Sequence, residues 1–141
     1  MNMYLSIDDI YDLFSWDASY SDEEYNSRVE RGIAEARKLK NIFPFIQPIV
    51  AGKNSKSVWE PCAKVVALKS DEELCDYMYL LLEWLQDMNW PGAEIIFDRL
   101  SQIPFAKICR YVEFSMYRAK KDEDEGWLNT LEALKEHRNW Y

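Results

Sequence analysis

Apolar side chains recur at intervals of three and four along most of the chain, which is the spacing of amphipathic α-helices. These stripes predict helices over residues 6–16, 21–40, 57–69, 70–88, 91–100, 105–120 and from 122 to near the C-terminus. Very short turns separate the later helices and favour antiparallel neighbours. Four Gly and five Pro are too few for a sandwich or barrel of many short strands. The sequence therefore predicts an all-α fold of about six to seven antiparallel helices stacked in sequence order.

Three helix starts carry a capping box, in which a Ser and a Glu three positions later satisfy two backbone amides. The three pairs are Ser21 with Glu24, Ser57 with Glu60, and Ser70 with Glu73. The helix after Ser70 carries apolar residues on more than one face, so we expect it to be covered on two sides.

The 141 residues are predicted to form a single domain, because a chain of this length buries one core without metals or disulfides. Its parts are an N-terminal helical pair (1–40), a Pro-containing connection (41–56) and a set of stacked helices (57–137). The connection is too apolar for a solvated linker, and Pro44 and Pro48 keep it out of regular helix. We expect it to lie on the core, with residues 52–56 as an exposed turn.

The string Asn89-Trp90-Pro91-Gly92 separates two helical patterns and predicts a corner between helices. Pro91 cannot continue the preceding helix but suits the first turn of the next one. Trp90 holds the position of an apolar residue that packs against the new helix, and Gly92 lets another backbone approach closely. We expect about two or three residues to join the two helices.

Composition and charge narrow the classes of partner. The chain is 48% hydrophobic and 15% aromatic, as in a globular protein, and its formal net charge is −8. This charge disfavours nucleic acid and anionic membranes, which are bound through Lys and Arg, and it suits a basic protein, although solubility alone accounts for the same charge. The N-terminus lacks the basic segment of a signal peptide and no apolar run could span a membrane, so we expect a cytoplasmic protein.

The three cysteines do not have the spacing of a metal site or of a disulfide framework. Cys62, Cys75 and Cys109 each lie among apolar residues. The sequence therefore predicts buried free thiols in a reducing compartment.

Charge alternates in blocks along the chain. Residues 1–27, 70–98 and 122–141 are acidic, whereas residues 28–69 and 99–121 are basic. Helices of alternating sign packed side by side would compensate one another. Alternatively, the acidic blocks present ridges to solvent, and an acidic ridge with aromatic residues would suit an inhibitor of a basic protein. The sequence leaves both interpretations open.

The strings WEPCAK (59–64), KSDEEL (69–74) and EWLQDMNWPGAEIIFDRL (83–100) resemble a family of small bacterial proteins, the domain of unknown function 5071. The resemblance runs from about residue 30 to residue 100 and does not include the C-terminal part. It implies a HEAT-like α-α superhelix and brings no activity, substrate or cofactor with it. Relatives of this kind are suspected of being immunity proteins beside toxins.

Few residues offer catalytic chemistry. His137 is the single histidine, and its place near a helix C-terminus suits a structural charge. The sequence has no Gly-rich phosphate loop and no GxSxG motif. We therefore predict no catalytic residue, no metal and no cofactor. Carboxylates remain: Glu83 with Asp87, and Glu94 with Asp98, are spaced to share a helical face.

Two functions follow as hypotheses. The first is a non-catalytic protein–protein interaction module, an immunity-type inhibitor of a basic partner, binding through Glu83, Trp84, Asp87, Trp90, Glu94 and Asp98. Trp84 lies off the main apolar stripe of its helix, so we expect it to be partly exposed beside Glu83 and Asp87. The alternative is a helical enzyme or a binder of a small ligand or cation that uses the carboxylates of the 83–98 corner. The oligomeric state is not indicated.

Overall fold

The computed structural model describes residues 4–47 and 56–137. These residues form eight α-helices and none of them is in a β-strand, which confirms the all-α prediction. The helices are α1 (Ile7–Phe14), α2 (Asp22–Arg37), α3 (Trp59–Ala67), α4 (Asp71–Cys75), α5 (Met78–Glu83), α6 (Ala93–Ser101), α7 (Phe105–Lys121) and α8 (Glu125–Glu136). Each helix in these two ranges is too short or too polar to cross a membrane.

The helices share one apolar core. Consecutive helices pack together at both ends of the chain, α1 against α2 and α7 against α8. In the middle the contacts skip along the sequence, since α3 packs against α6 and α5 packs against α7. Contacts of α2 with α3 join the N-terminal pair to the other helices, and the buried side chains of all these elements form a continuous cluster.

The three predicted capping boxes have different outcomes: Ser70 with Glu73 is complete, whereas Ser21 caps α2 without the reciprocal bond from its own amide to Glu24. Glu73 N donates to Ser70 Oγ at 3.2 Å, and Ser70 N donates to Glu73 Oε1 at 3.1 Å. The amide of Glu24 likewise donates to Ser21 Oγ at 3.1 Å. The prediction for Ser57 is wrong, because a 3-10 turn (Lys56–Val58) precedes α3 and the N-cap residue is Val58, which has no side-chain acceptor.

The described part of the connection, residues 41–47, lies on the core as predicted. Ile42, Phe45 and Ile46 are buried, and Phe43–Phe45 forms a 3-10 turn. The Tyr11 hydroxyl donates a hydrogen bond to the carbonyl oxygen of Pro44 and ties this segment to α1. The exposed turn predicted at 52–56 lies outside the described residues except for its last residue.

The single helix predicted over residues 70–88 is wrong. The segment is divided into α4, α5 and a 3-10 turn (Trp84–Gln86), although neither Gly nor Pro occurs between Asp71 and Met88. The buried residues of α5, Met78, Leu81 and Leu82, lie on one face, and Trp84 and Leu85 are buried in the 3-10 turn that follows. Because α5 packs against α7 and the turn packs against α6 and α8, two short elements, and not one helix covered on two sides, bury these residues. Packing rather than local sequence therefore sets where the segment breaks.

Candidate functional site

Trp84 lies inside the molecule, so the prediction that it is partly exposed is wrong. Its side chain is fully buried, and Nε1 donates to the carbonyl oxygen of Pro91 at 3.1 Å. The 3-10 turn changes the angle between successive side chains from that of an α-helix, so the α-helical spacing gave the wrong face. Trp84 stabilises the corner from within and cannot contact a partner there.

Gly92 is the residue of the corner whose backbone conformation and close neighbours exclude a side chain. Its φ is 85°, and it is itself the N-cap of α6, so Pro91 precedes the helix instead of lying in its first turn. A Cβ at Gly92 would lie 3.1 Å from the backbone carbonyl oxygen of Trp59 and 2.7 Å from the Cβ of Ala63, both on α3. The predicted close approach is confirmed. The connection between the 3-10 turn and α6 is residues 87–92, which is longer than predicted.

The carboxylates Glu83 and Asp87 are used within the molecule. The prediction that they share a helical face is wrong, because α5 ends at Glu83 and Asp87 has extended backbone beyond the 3-10 turn. Glu83 Oε1 accepts a hydrogen bond from Arg118 Nη1 on α7 at 2.9 Å. Asp87 Oδ1 accepts the amide of Asn89 at 2.8 Å and closes the turn.

The rest of the predicted surface faces solvent. Glu94 and Asp98 are exposed on one face of α6, as predicted, and within residues 4–47 and 56–137 neither forms an ion pair. Trp90 is half-buried and meets Trp59 edge-on, with 5.7 Å between ring centroids. A shallow cleft of about 330 Å³ is lined in part by Trp90, Glu94 and the exposed Glu60 of α3. We call Glu60, Trp90, Glu94 and Asp98 the acidic corner.

Among the residues that the structure describes, four ion pairs connect an acidic block of the sequence to a basic one. They are Arg28–Asp12 at 3.3 Å, Arg99–Asp71 at 2.7 Å, Lys107–Glu72 at 3.6 Å and Arg118–Glu83 at 2.9 Å. Internal compensation therefore accounts for part of the alternating charge pattern. Within the two described ranges, no ion pair includes a carboxylate of the acidic corner.

The prediction of three buried thiols is correct for one of them. All three are free cysteines: Cys62 is buried, Cys75 is exposed and Cys109 is half-buried. Cys75 ends α4 at a break that the apolar pattern did not indicate. Across the two described ranges, no three His, Cys, Asp or Glu side chains come together as ligands of a metal ion.

An exposed aromatic cluster on α5 and α7 was not predicted. It consists of the exposed Tyr79, Phe114 and Tyr117 and the half-buried Tyr111. The Tyr79 ring lies edge-on to Tyr111 and Phe114, with centroid distances of 4.8 and 5.4 Å, and Phe114 stacks with Tyr117 at 6.4 Å. The exposed fractions of Tyr79, Phe114 and Tyr117 are 40%, 49% and 61%. Contiguous exposed apolar side chains mark interaction sites more often than scattered ones do.

The sequence contains a signal for this cluster. Tyr111, Phe114 and Tyr117 recur every three residues along α7, on a different face from Ile108 and Val112, which are buried. A second apolar stripe on a helix whose first stripe already supplies the core indicates a further contact surface.

Arg110 is held beside this aromatic cluster. Its Nη2 donates to the Tyr111 hydroxyl at 3.0 Å, and its guanidinium carbon lies 4.9 Å from the Tyr111 ring centroid. The hydrogen bond to Tyr111 is the main effect that raises the pKa of Arg110 above its ordinary value. In the described part of the chain, no carboxylate forms an ion pair with Arg110.

A second cleft, of about 400 Å³, lies next to the aromatic cluster. Much of its lining is apolar and includes Cys75, Met78, Ile103 and Ile108. The Cys75 sulfur lies 3.9 Å from the Tyr111 hydroxyl oxygen, which makes the cleft continuous with the rings. The α4–α5–α7 side of the molecule thus combines exposed rings, a fixed cation and an apolar recess.

Residues 58–139 match the family described as Domain of unknown function (DUF5071). The chain belongs to this family. The matched range includes α7 and α8, so it extends past residue 100, where the resemblance was expected to end, and it begins later than residue 30. The acidic corner and the aromatic cluster both lie within it. No curated protein and no solved structure matches the chain.

Proposed function

We propose that this member of the family is a cytoplasmic protein–protein interaction module on a HEAT-like helical scaffold, acting by contact and not by chemistry. The observation that carries the proposal is the exposed aromatic cluster. Aromatic residues are enriched in the buried centres of protein interfaces, because a rigid ring buries a large area with little loss of conformational entropy. Covering the rings of Phe114 and Tyr117 would remove apolar surface from water, which favours association.

The test compares two exposed aromatic sites on the same protein. The full chain, a Phe114→Ser/Tyr117→Ser variant and a Trp16→Ser variant are immobilised and exposed to a lysate of the organism that encodes the chain. Trp16 is 58% exposed and follows α1, so its variant removes a comparable ring from another surface.

We expect a partner retained by the wild type and by Trp16→Ser to be lost with the double variant, as measured by quantitative mass spectrometry. Thermal unfolding followed by circular dichroism checks that all three proteins are folded. Equal capture of every protein by the three forms would contradict the proposal.

A second candidate is an immunity-type inhibitor of a basic protein, and the acidic corner favours it. Glu60, Trp90 and Glu94 line the first cleft together, and Asp98 extends the same face of α6. An apolar ring beside carboxylates that form no ion pair within the described residues would suit a Lys- or Arg-rich surface, since opposite potentials steer encounter and fix orientation.

Charge reversal tests this second candidate. We expect Glu94→Lys/Asp98→Lys to slow association with a basic partner by about tenfold or more, measured by surface plasmon resonance at low salt. The matched control is Glu132→Lys/Glu136→Lys, which makes the same change of charge on an exposed face of α8. An equal effect of both variants would show that only net charge matters.

A further inference from the structure

The exposed ridge of α7 has the spacing of a helix-binding stripe. Lys107, Arg110, Phe114, Tyr117 and Lys121 are all exposed and alternate at intervals of three and four residues, so they lie in one line along the helix. The two rings occupy the middle of this line, and the basic residues occupy its ends. Helices recognise one another through contacts at this spacing.

The charge of this ridge is opposite to that of the whole chain. In the described ranges Arg110 and Lys121 form no ion pair, and Lys107 reaches Glu72 only at 3.6 Å, with side chains 53% and 78% exposed. Such an exposed pair contributes little. Glu113 is the one acidic residue within α7 and is exposed, and the C-cap residue Asp122 follows Lys121 directly. The ridge is therefore basic although the protein carries a net charge of −8.

Arg110 contacts Tyr111 in a way that leaves it able to bind a carboxylate. Its Nη2 donates to the Tyr111 hydroxyl and its guanidinium lies over the ring, while its other N–H groups form no hydrogen bond in the described part of the chain. A planar guanidinium binds a carboxylate through two parallel hydrogen bonds. Contacts that Arg110 already makes before binding reduce the conformational entropy that is lost on binding.

We infer that the α7 ridge binds an acidic amphipathic helix of a partner protein. This inference rests on the proposed function and names the chemistry of the partner. A carboxylate of the helix pairs with Arg110, its apolar face covers Phe114 and Tyr117, and a large apolar side chain enters the neighbouring cleft beside Met78 and Ile108.

A second copy of this chain fits the ridge less well. In an antiparallel pair of α7 helices, Lys107 of one copy would approach Lys121 of the other at both ends. Like charges brought together across an interface disfavour association. Charge complementarity instead selects a partner helix that carries Asp or Glu at its ends.

The test starts from an unbiased peptide library displayed on phage and selected on the full chain. The most enriched peptide is then synthesised, and its Kd is measured by fluorescence anisotropy against the wild type and four variants. These are Arg110→Gln, Phe114→Ser/Tyr117→Ser, and the controls Arg31→Gln and Trp16→Ser. Arg31 is an exposed base on α2, away from the ridge, so its variant makes the same change of charge.

We expect the enriched peptides to combine Asp or Glu with Leu, Phe or Trp at helical spacing. Arg110→Gln should weaken binding by about tenfold, the size of one charge-assisted hydrogen-bonded pair, and Arg31→Gln should not. Replacing the acidic residues of the peptide by their amides should weaken binding to the wild type by a similar factor and to Arg110→Gln much less.

Other outcomes separate this inference from the proposed function. Enriched peptides that are neutral or basic, and that lose binding with Phe114→Ser/Tyr117→Ser but not with Arg110→Gln, would overturn the acidic partner and leave the interaction surface intact. If sedimentation experiments showed a dimer that dissociates in the double variant, the acidic partner would also be overturned. The interaction surface would then bind a second copy of the chain. Both proposals would be contradicted if no peptide were enriched, or if the enriched peptides bound both variants as tightly as the wild type.

Discussion

The corner around Trp84 and the aromatic cluster on α7 use aromatic side chains in opposite ways. Trp84 is 0% exposed and hydrogen-bonded to the turn that it covers, whereas Tyr117 is 61% exposed on a regular helix. The corner has an unusual sequence because its backbone is unusual: Gly92 must adopt a positive φ against α3. The regular helical backbone at Tyr117 does not restrict the type of residue in this way. A distinctive string therefore marks a structural requirement here, and the exposed surface suited to contact lies on an ordinary helix.

Trp84→Ala gives the largest effect expected from this comparison. Removal of a fully buried indole leaves a cavity and an unpaired carbonyl at Pro91, which should lower the free energy of unfolding by about 3–5 kcal/mol. Urea denaturation followed by circular dichroism measures it. The control Trp16→Ala removes an exposed ring and should change stability by less than about 0.5 kcal/mol. Equal effects of the two substitutions would mean that the corner is not internally stabilised by Trp84.

Gly92→Ala should give the next largest effect. A positive φ strains any residue with a Cβ, and the new methyl group would meet Ala63, so we expect a loss of about 2–4 kcal/mol in the same denaturation experiment. Gly126→Ala is the matched control. Gly126 lies in α8, and a Cβ added there would lie 3.8 Å from Asp124 Oδ1, which is an ordinary contact distance. Alanine at this position should therefore stabilise the protein by about 0.5–1 kcal/mol. Destabilisation by both substitutions would argue against a special role for the corner.

The sequence predicted those elements whose cause is local. Ser70 and Glu73 cap α4 because the two side chains and two amides lie within one turn, and the buried Ile42 and Phe45 follow from apolar residues beside a proline. It did not predict the breaks between residues 70 and 88, or the inward position of Trp84, because packing against α7 and α8 sets them. The aromatic cluster is visible in the sequence as a second apolar stripe on α7. It indicates a contact surface only when the buried stripe of Ile108 and Val112 is known to supply the core contacts of this helix.

The two regions also differ in their cysteines, which gives a test by pH. Burial raises the pKa of Cys62, behind the corner, from its ordinary 9.0 to about 12, against a weaker lowering by the Gln47 amide. The folded protein thus holds this proton more tightly than the unfolded chain does. The resulting stabilisation is present below about pH 9 and is lost as the pH rises toward 12.

We expect the free energy of unfolding to fall by roughly 1 kcal/mol between pH 8 and pH 10 because of Cys62 alone. Cys62→Ala should reduce this slope, measured by urea denaturation at each pH. Cys75→Ala, at the exposed cleft beside the aromatic cluster, is the matched control for the removal of a thiol. Above pH 10 the slope should steepen, since burial also raises the pKa of Tyr11 to about 12. An unchanged slope in Cys62→Ala would contradict burial of this thiol in solution.

The smallest expected effect comes from the ion pair that joins the two regions, Glu83 of the corner with Arg118 of α7. The pair is partly exposed, so Glu83→Gln should lower the free energy of unfolding by only about 0.5–1 kcal/mol, and less in high salt. Arg118→Gln should lower it more, because Arg118 also lies 5.4 Å from the Trp127 ring centroid. The double variant should lose less than the sum of the two. If the losses of the two single variants added up to the loss of the double variant, Glu83 and Arg118 would not interact in solution. Glu83 would then be a free surface carboxylate, available to a partner as the sequence first indicated.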